Sequence, residues 1–181
     1  MLRKAVFLDR DGVLNRSDVV DGKPYAPRRL ENFDILPDVG PALKRLKSAG
    51  LVLSVVTNQP DVATGKQTPE LISAMHSILR EELPIDDIRA CFHVNEDNCC
   101  CRKPKPGMLL ASARELQIDL EQSFMIGDRA SDVGAGNAVG CFTIFIDRGY
   151  REPAPTDADA TVASMSKACD VILQVLGTGK N

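Results

Sequence analysis

The run Leu51-Val52-Leu53-Ser54-Val55-Val56 constrains the fold more than any other stretch of this chain, because it is almost continuously apolar and β-branched. A strand with one wet face alternates polar and apolar side chains, whereas a strand covered on both faces does not. This run therefore predicts the interior of a parallel sheet with helices packed on either side. The neighbouring sequence agrees. Lys4 to Leu8 reads as a first strand, and Asp38 to Ala49 as a helix with Val39, Leu43 and Leu46 at i, i+4 and i+7 and Gly50 placed to end it in the left-handed conformation. Thr68-Pro69 is an N-cap followed by proline in the first turn, opening a helix that runs to Leu83-Pro84.

Further along, Ile88 to Phe92, Phe124 to Ile126 and Cys141 to Ile146 read as strands, and Met108 to Leu116 and Ser131 to Ala138 as helices. Strands alternating with helices predict a doubly wound α/β sheet, Rossmann-like, over a single domain spanning residues 1–181. Asp18 to Asn32 is a short insertion, too small for a cap domain. Tyr150 to Ala160 reads as a surface loop leading to a last helix with Met165, Cys169 and Ile172 inward, and His76 falls on the exposed or boundary face of its helix.

Composition narrows the partners. A net charge of −3 gives no basic face for nucleic acid or for an anionic membrane, so the expected partner is a small molecule whose charge is met locally. Ala5 to Leu8 is too short for a signal-peptide core, and the expectation is a cytoplasmic monomer. Two tyrosines and no tryptophan offer little for base stacking, which counts against a zinc-ribbon nucleic-acid module.

Ligands of open α/β sheets bind beyond the carboxyl ends of the strands, and the residues there form a set. Asp9-Arg10-Asp11-Gly12 follows the first strand, Thr57-Asn58-Gln59 the second, Gly127-Asp128 with Asp132 a later one, and Arg102-Lys103-Pro104 precedes a helix. One aspartate in such a place is usually a turn former or helix cap. Asp9, Asp11 and Asp128 together would repel one another, and a hard cation such as Mg²⁺ is the usual means by which such a cluster stays ionised. Mg²⁺ binds through one or two carboxylates and phosphate oxygens, while Lys103 and Thr57 offer a cation and a donor to the same phosphoryl group. Ser131 and Asp132 also suit a helix start, which leaves Asp132 between capping and site support.

A second cluster lies at residues 91–101, which contain four of the six cysteines together with His93. Cys91, His93, Cys99 and Cys101 form paired C-x-H and C-x-C ligands, a soft Cys₃His set suited to tetrahedral Zn²⁺. Cys100 lies between two of them, so a shifted register is open. Cys141 and Cys169 read as core.

Asp9-Arg10-Asp11-Gly12-Val13-Leu14-Asn15, Thr57-Asn58-Gln59, Arg102-Lys103-Pro104-Lys105-Pro106-Gly107-Met108 and Gly127-Asp128 resemble the four motifs of the haloacid dehalogenase superfamily, over roughly positions 5 to 147. The Asp-Arg-Asp-Gly form with the cysteine-rich loop is similar to the small-cap group of heptose bisphosphate and histidinol phosphate phosphatases. The resemblance implies that Asp9 is a nucleophile forming an aspartyl phosphate and that Asp11 is a general acid, then base. It implies Mg²⁺ held by Asp9, the Asp11 backbone carbonyl and Asp128, with Thr57 and Lys103 on the phosphoryl oxygens and Asp132 orienting that shell from outside. It also supports the zinc loop, whose task would be to fix Arg102 and Lys103.

Lys23, Asn58, Arg102 and Arg129 are the candidates for the rest of the substrate. The implied substrate is a phosphorylated sugar, the 7-phosphate of a manno-heptose 1,7-bisphosphate, on the way to activated heptose for surface polysaccharide. Histidinol phosphate is the alternative, and its amine would need an acidic partner. The sequence departs from the heptose group at Pro60 to Lys66, where Thr64 stands in place of an arginine, so fewer cations would face a distal phosphate. A phospho-accepting receiver module also sets acids, a threonine and a lysine around Mg²⁺, but its acidic pair and its phosphorylated aspartate belong to different strands, whereas Asp9 and Asp11 follow one strand together.

Overall fold

The computed structural model describes residues 2–178. Six strands form one parallel sheet: β1 (Ala5–Leu8), β4 (Val52–Asn58), β5 (Asp87–Cys91), β6 (Phe124–Gly127), β7 (Phe142–Ile146) and β8 (Ala160–Val162), in the order β5-β4-β1-β6-β7-β8. The chain builds outward from β1 through β4 to β5, then crosses back and builds the other half. The order therefore reverses beside β1, and a crevice opens at the carboxyl ends there. A separate antiparallel hairpin, β2 (Asp18–Val20) and β3 (Lys23–Tyr25), is what the insertion after β1 folds into.

Both faces of the sheet are covered, as the unalternating β4 requires. Val6, Leu8, Leu53 and Val55 face one core with α1 (Val39–Ser48), α2 (Pro69–Glu82) and α5 (Met165–Thr178). Ala5, Phe7, Val52 and Val56 face the other with α3 (Gly107–Leu116) and α4 (Ala130–Asn137). The helix ends follow their local chemistry. Gly50 takes φ +83° after α1, and the Thr68 hydroxyl accepts from Leu71 N at 3.2 Å to cap α2. Met165, Cys169 and Ile172 are buried, and Cys141 is likewise core.

Two expectations are corrected. Residues 150–160 do not lead straight to the last helix, because Ala160 opens the edge strand β8, paired in parallel with β7. Three residues, Ala-Thr-Val, are too short for a periodic signal. His76 is not at the surface: only 8% of it is exposed, and its ring nitrogen Nε2 lies 3.4 Å from Arg10 Nη1. Arg10 is fully buried and supplies a polar neighbour that the helix pattern cannot reveal.

Candidate active site

Asp9 follows β1, Asp128 follows β6, and Asp132 lies in the first turn of α4. These strands are neighbours, so the three carboxylates meet, with one oxygen of each within 4.8 Å of the others. They line a cavity of about 280 Å³ with Asp11, Asn58, Lys103, Lys23 and Arg129. Two glycines make the approach possible. Gly12 has φ +84°, and a Cβ there would overlap Asp128 Oδ2, while a Cβ on Gly127 would overlap the Asp132 side chain.

Lys103 is the cation among these acids. Its ammonium donates to Asp9 Oδ1 at 2.7 Å and to the Val56 carbonyl at 2.7 Å, and pairs with Asp132 Oδ1 at 2.6 Å. Burial opposes its charge, but Asp132 and Asp9 outweigh that and hold it protonated well above the usual range. Burial also pushes Asp9 up to about 6 against the opposing Lys103, with Asp132 and Asp11 adding to the rise. Asp128 is pushed far up by burial, then by Asp9 and Asp132. The Tyr150 hydroxyl is its neighbouring donor and works against that rise. A buried carboxylate that faces two other acids and has one neutral hydroxyl beside it suits a divalent cation, which would supply the missing positive charge.

The acidic group differs in one member from the sequence expectation of Asp9, Asp11 and Asp128. Asp132 completes it, and the Asp11 carboxylate instead accepts from Arg10 Nε at 3.1 Å, Arg10 Nη2 at 3.0 Å, Asn15 Nδ2 at 2.9 Å and Gln59 Nε2 at 2.7 Å. Asp132 bonds on two sides. Its Oδ2 accepts from Arg129 N at 3.0 Å at the start of α4 while Oδ1 meets Lys103.

The remaining candidates divide. Thr57 lies inside β4 and is buried, its hydroxyl accepting from Gln59 Nε2 at 2.9 Å. Asn58 lines the cavity but uses both ends of its amide on Lys103, accepting from its N–H and donating to its carbonyl, each at 3.1 Å. Lys23 stands exposed on the hairpin at the rim. Arg129, also at the rim, is held by Glu152 through bonds of 2.9 and 2.7 Å. Arg102 points elsewhere: it donates to Asn95 Oδ1 at 2.7 Å and to the His93 carbonyl at 3.2 Å, bracing the cysteine loop. Gln59, Asn15 and Arg10 belong to motifs quoted above, but nothing in their spacing says that they converge on Asp11.

In the cysteine loop, Cys91, His93, Cys99 and Cys101 bring their ligand atoms within 4.8 Å of one another. Cys101 Sγ lies 3.1 Å from Cys91 Sγ and 3.5 Å from Cys99 Sγ, and His93 Nδ1 lies 3.3 Å from Cys101 Sγ. Tetrahedral Zn–S bonds of about 2.3 Å give edges of about 3.7 Å, so the group has nearly the size of a four-ligand site. Cys100 is exposed and lies outside this group.

A profile of HAD-hydrolase-like proteins matches residues 100–170. The D-glycero-β-D-manno-heptose-1,7-bisphosphate 7-phosphatase of Helicobacter pylori (strain ATCC 700392 / 26695) is 42% identical, over 74% of this chain and 77% of its own. The chain belongs to the haloacid dehalogenase hydrolases. The enzyme of the same name from Haemophilus ducreyi is 35% identical over 97% of this chain and 96% of its own. The crystal structure of the D,D-heptose 1,7-bisphosphate phosphatase of B. bronchiseptica, complexed with magnesium and phosphate, superposes with a TM-score of 0.81 at 27% identity, covering 95% of this chain and 99% of that one. The fold expected from the sequence is thus the fold of this family, and the chain is a hydrolase of phosphate monoesters. Among the described residues, no helix is long and apolar enough to cross a membrane.

Proposed function

We propose that this protein is a Mg²⁺-dependent phosphatase that removes the 7-phosphate of a manno-heptose 1,7-bisphosphate, a step toward activated heptose for surface polysaccharide. The observation that carries the reading is the meeting of Asp9, Asp128 and Asp132 with Lys103 on the floor of a cavity. In this reading Asp9 attacks phosphorus in line. The P–O bond to the sugar breaks as the Asp9–phosphorus bond forms, and Asp11 gives a proton to the departing oxygen. Asp11 then takes a proton from the water that releases phosphate and restores Asp9. Lys103, held by Asp9 and Asp132, is placed to meet the phosphoryl oxygens, and Thr57 supports that wall. Asp9, Asp128 and the Asp11 backbone carbonyl would hold Mg²⁺, with Asp132 beside them, and the ion would offset negative charge on the transferring group.

The rim favours an anionic substrate over histidinol phosphate. Its acids Asp61 and Glu152 are paired, with Arg28 at 2.9 Å and Arg129 at 2.7 Å, so neither of these two is a free carboxylate for an amine. Lys23 is the group offered to a distal phosphate, while Arg129 would have to exchange Glu152 for it. The Cys₃His loop is read as a structural Zn²⁺ site that fixes the segment running into Lys103. Steady-state phosphate release with Mg²⁺ from both anomers of heptose 1,7-bisphosphate, heptose 7-phosphate and histidinol phosphate tests the reading. A heptose substrate should be preferred about a hundredfold, worth roughly 2.7 kcal/mol. Preference for histidinol phosphate would move the substrate, and no turnover on any of them would refute the proposal.

A further inference from the structure

Arg10 has no reason to be fully buried unless its donors are satisfied, since an unpaired buried charge is costly. Three groups receive it. Its guanidinium carbon lies 5.5 Å from the centre of the Phe33 ring, which gives the cation an aromatic face. Its Nε and Nη2 edge donates to Asp11, and its Nη1 lies 3.4 Å from His76 Nε2. His76 comes from α2, 66 residues away in the chain. Burial, then the charges of Arg10 and Arg80, push the imidazole down to about 4, so it is neutral at physiological pH. A neutral ring with its proton on Nδ1 presents Nε2 as an acceptor to Arg10. A leucine would fill the same space without that acceptor.

A guanidinium is a rigid fork, so fixing one edge fixes the other. We propose that His76 is a positioning residue for this reaction: by accepting from Arg10 Nη1 it sets the Arg10 fork that holds the Asp11 carboxylate beside Asp9. His76 is not among the residues that line the cavity, and the side chain it meets on the way there is Arg10. The inference rests on the assignment of Asp11 as general acid made above, and it adds a residue outside all four motifs.

Leaving-group chemistry separates this role from a packing role. A sugar alkoxide needs a proton as it departs, whereas p-nitrophenolate is a stable anion and does not. The ratio kcat/KM reports only the steps through formation of the aspartyl phosphate, so loss of the acid should appear on a sugar phosphate and not on p-nitrophenyl phosphate. His76→Leu is expected to lower kcat/KM on heptose 1,7-bisphosphate by about tenfold, a fraction of the roughly 10²–10⁴ supplied by a general acid. On p-nitrophenyl phosphate the change should be under about threefold, within the spread of ordinary packing effects on kcat/KM. His76→Gln, whose Oε1 can accept from Arg10, should restore most of the loss.

Equal losses on both substrates, no loss on either, or a His76→Gln variant as impaired as His76→Leu would overturn the positioning role. If His76→Leu does not fold, Arg10→Lys, which keeps a cation but lacks the fork, gives the same comparison with the same criteria. Asp11→Asn is measured alongside. If it shows no dependence on leaving group, the assignment of Asp11 as the acid is what fails; if it shows the dependence and His76→Leu does not, the inference about His76 fails alone.

Discussion

Lys103→Met tests the electrostatic account of the site. The substitution keeps the length of the side chain and removes a cation that is 2% exposed and lies 2.7 Å from Asp9 and 2.6 Å from Asp132. Two buried carboxylates then face each other and Asp128 with no counter-charge, and the Val56 carbonyl loses its donor. Breaking a buried ion pair by deleting one partner costs about 3–5 kcal/mol, because the remaining charge stays desolvated. The expected loss is of that size, measured by urea unfolding at neutral pH with chelator present. Lys167→Met, at an exposed pair 3.7 Å from Asp170, is the control and should change stability by less than about 0.5 kcal/mol. Adding Asp132→Asn should recover part of the loss, since the amide can still accept from Arg129 N while one negative charge is removed. A loss below about 1 kcal/mol for Lys103→Met would refute the claim that this lysine compensates the acids.

Other outcomes follow from the same geometry. Asp9→Asn should abolish turnover with the far-UV spectrum and thermal midpoint close to wild type, because a carboxamide cannot act as the nucleophile; wild-type turnover would end the scheme. Metal analysis should find about one zinc per chain, absent in Cys99→Ser, with lower stability in that variant. Gly127→Ala should unfold or inactivate the protein, since its Cβ would overlap Asp132, and circular dichroism with an activity assay distinguishes the two. His76 has a folded value of about 4 against an ordinary 6.5, so the unfolded chain takes up its proton first as pH falls. Its contribution to stability is present above about 6.5 and is lost toward 4, about 2 kcal/mol between pH 7 and 5. Urea midpoints should fall more steeply over that range for wild type than for His76→Gln.

Much of this was legible in the sequence because its signals are local. The unbroken apolar run of β4 announces a sheet covered on both faces, and Thr68-Pro69 and Gly50 mark helix ends through their own backbone chemistry. The acids after β1 and β6 meet because neighbouring parallel strands bring their carboxyl ends together, which topology alone predicts. What the sequence could not disclose depends on pairs distant in the chain. Arg10 and His76 lie on different elements, and a helix pattern cannot say that one boundary residue meets a buried arginine. Asp132 replaces Asp11 in the acidic group for the same reason: two residues of separation in the chain do not state which way a carboxylate turns once Arg10, Asn15 and Gln59 are near it. Arg102 sits next to Lys103 in the motif yet turns to the cysteine loop, where Asn95 Oδ1 and the His93 carbonyl, both distant from the motif's own residues, accept from it.

The most direct test of the central claim is to follow heptose 1,7-bisphosphate by phosphorus NMR with enzyme and Mg²⁺. The account predicts that the 7-phosphate resonance disappears as one equivalent of inorganic phosphate grows in, that the anomeric 1-phosphate persists, and that Asp9→Asn leaves the spectrum unchanged. Loss of the 1-phosphate instead, or release of phosphate by Asp9→Asn at the wild-type rate, would contradict it.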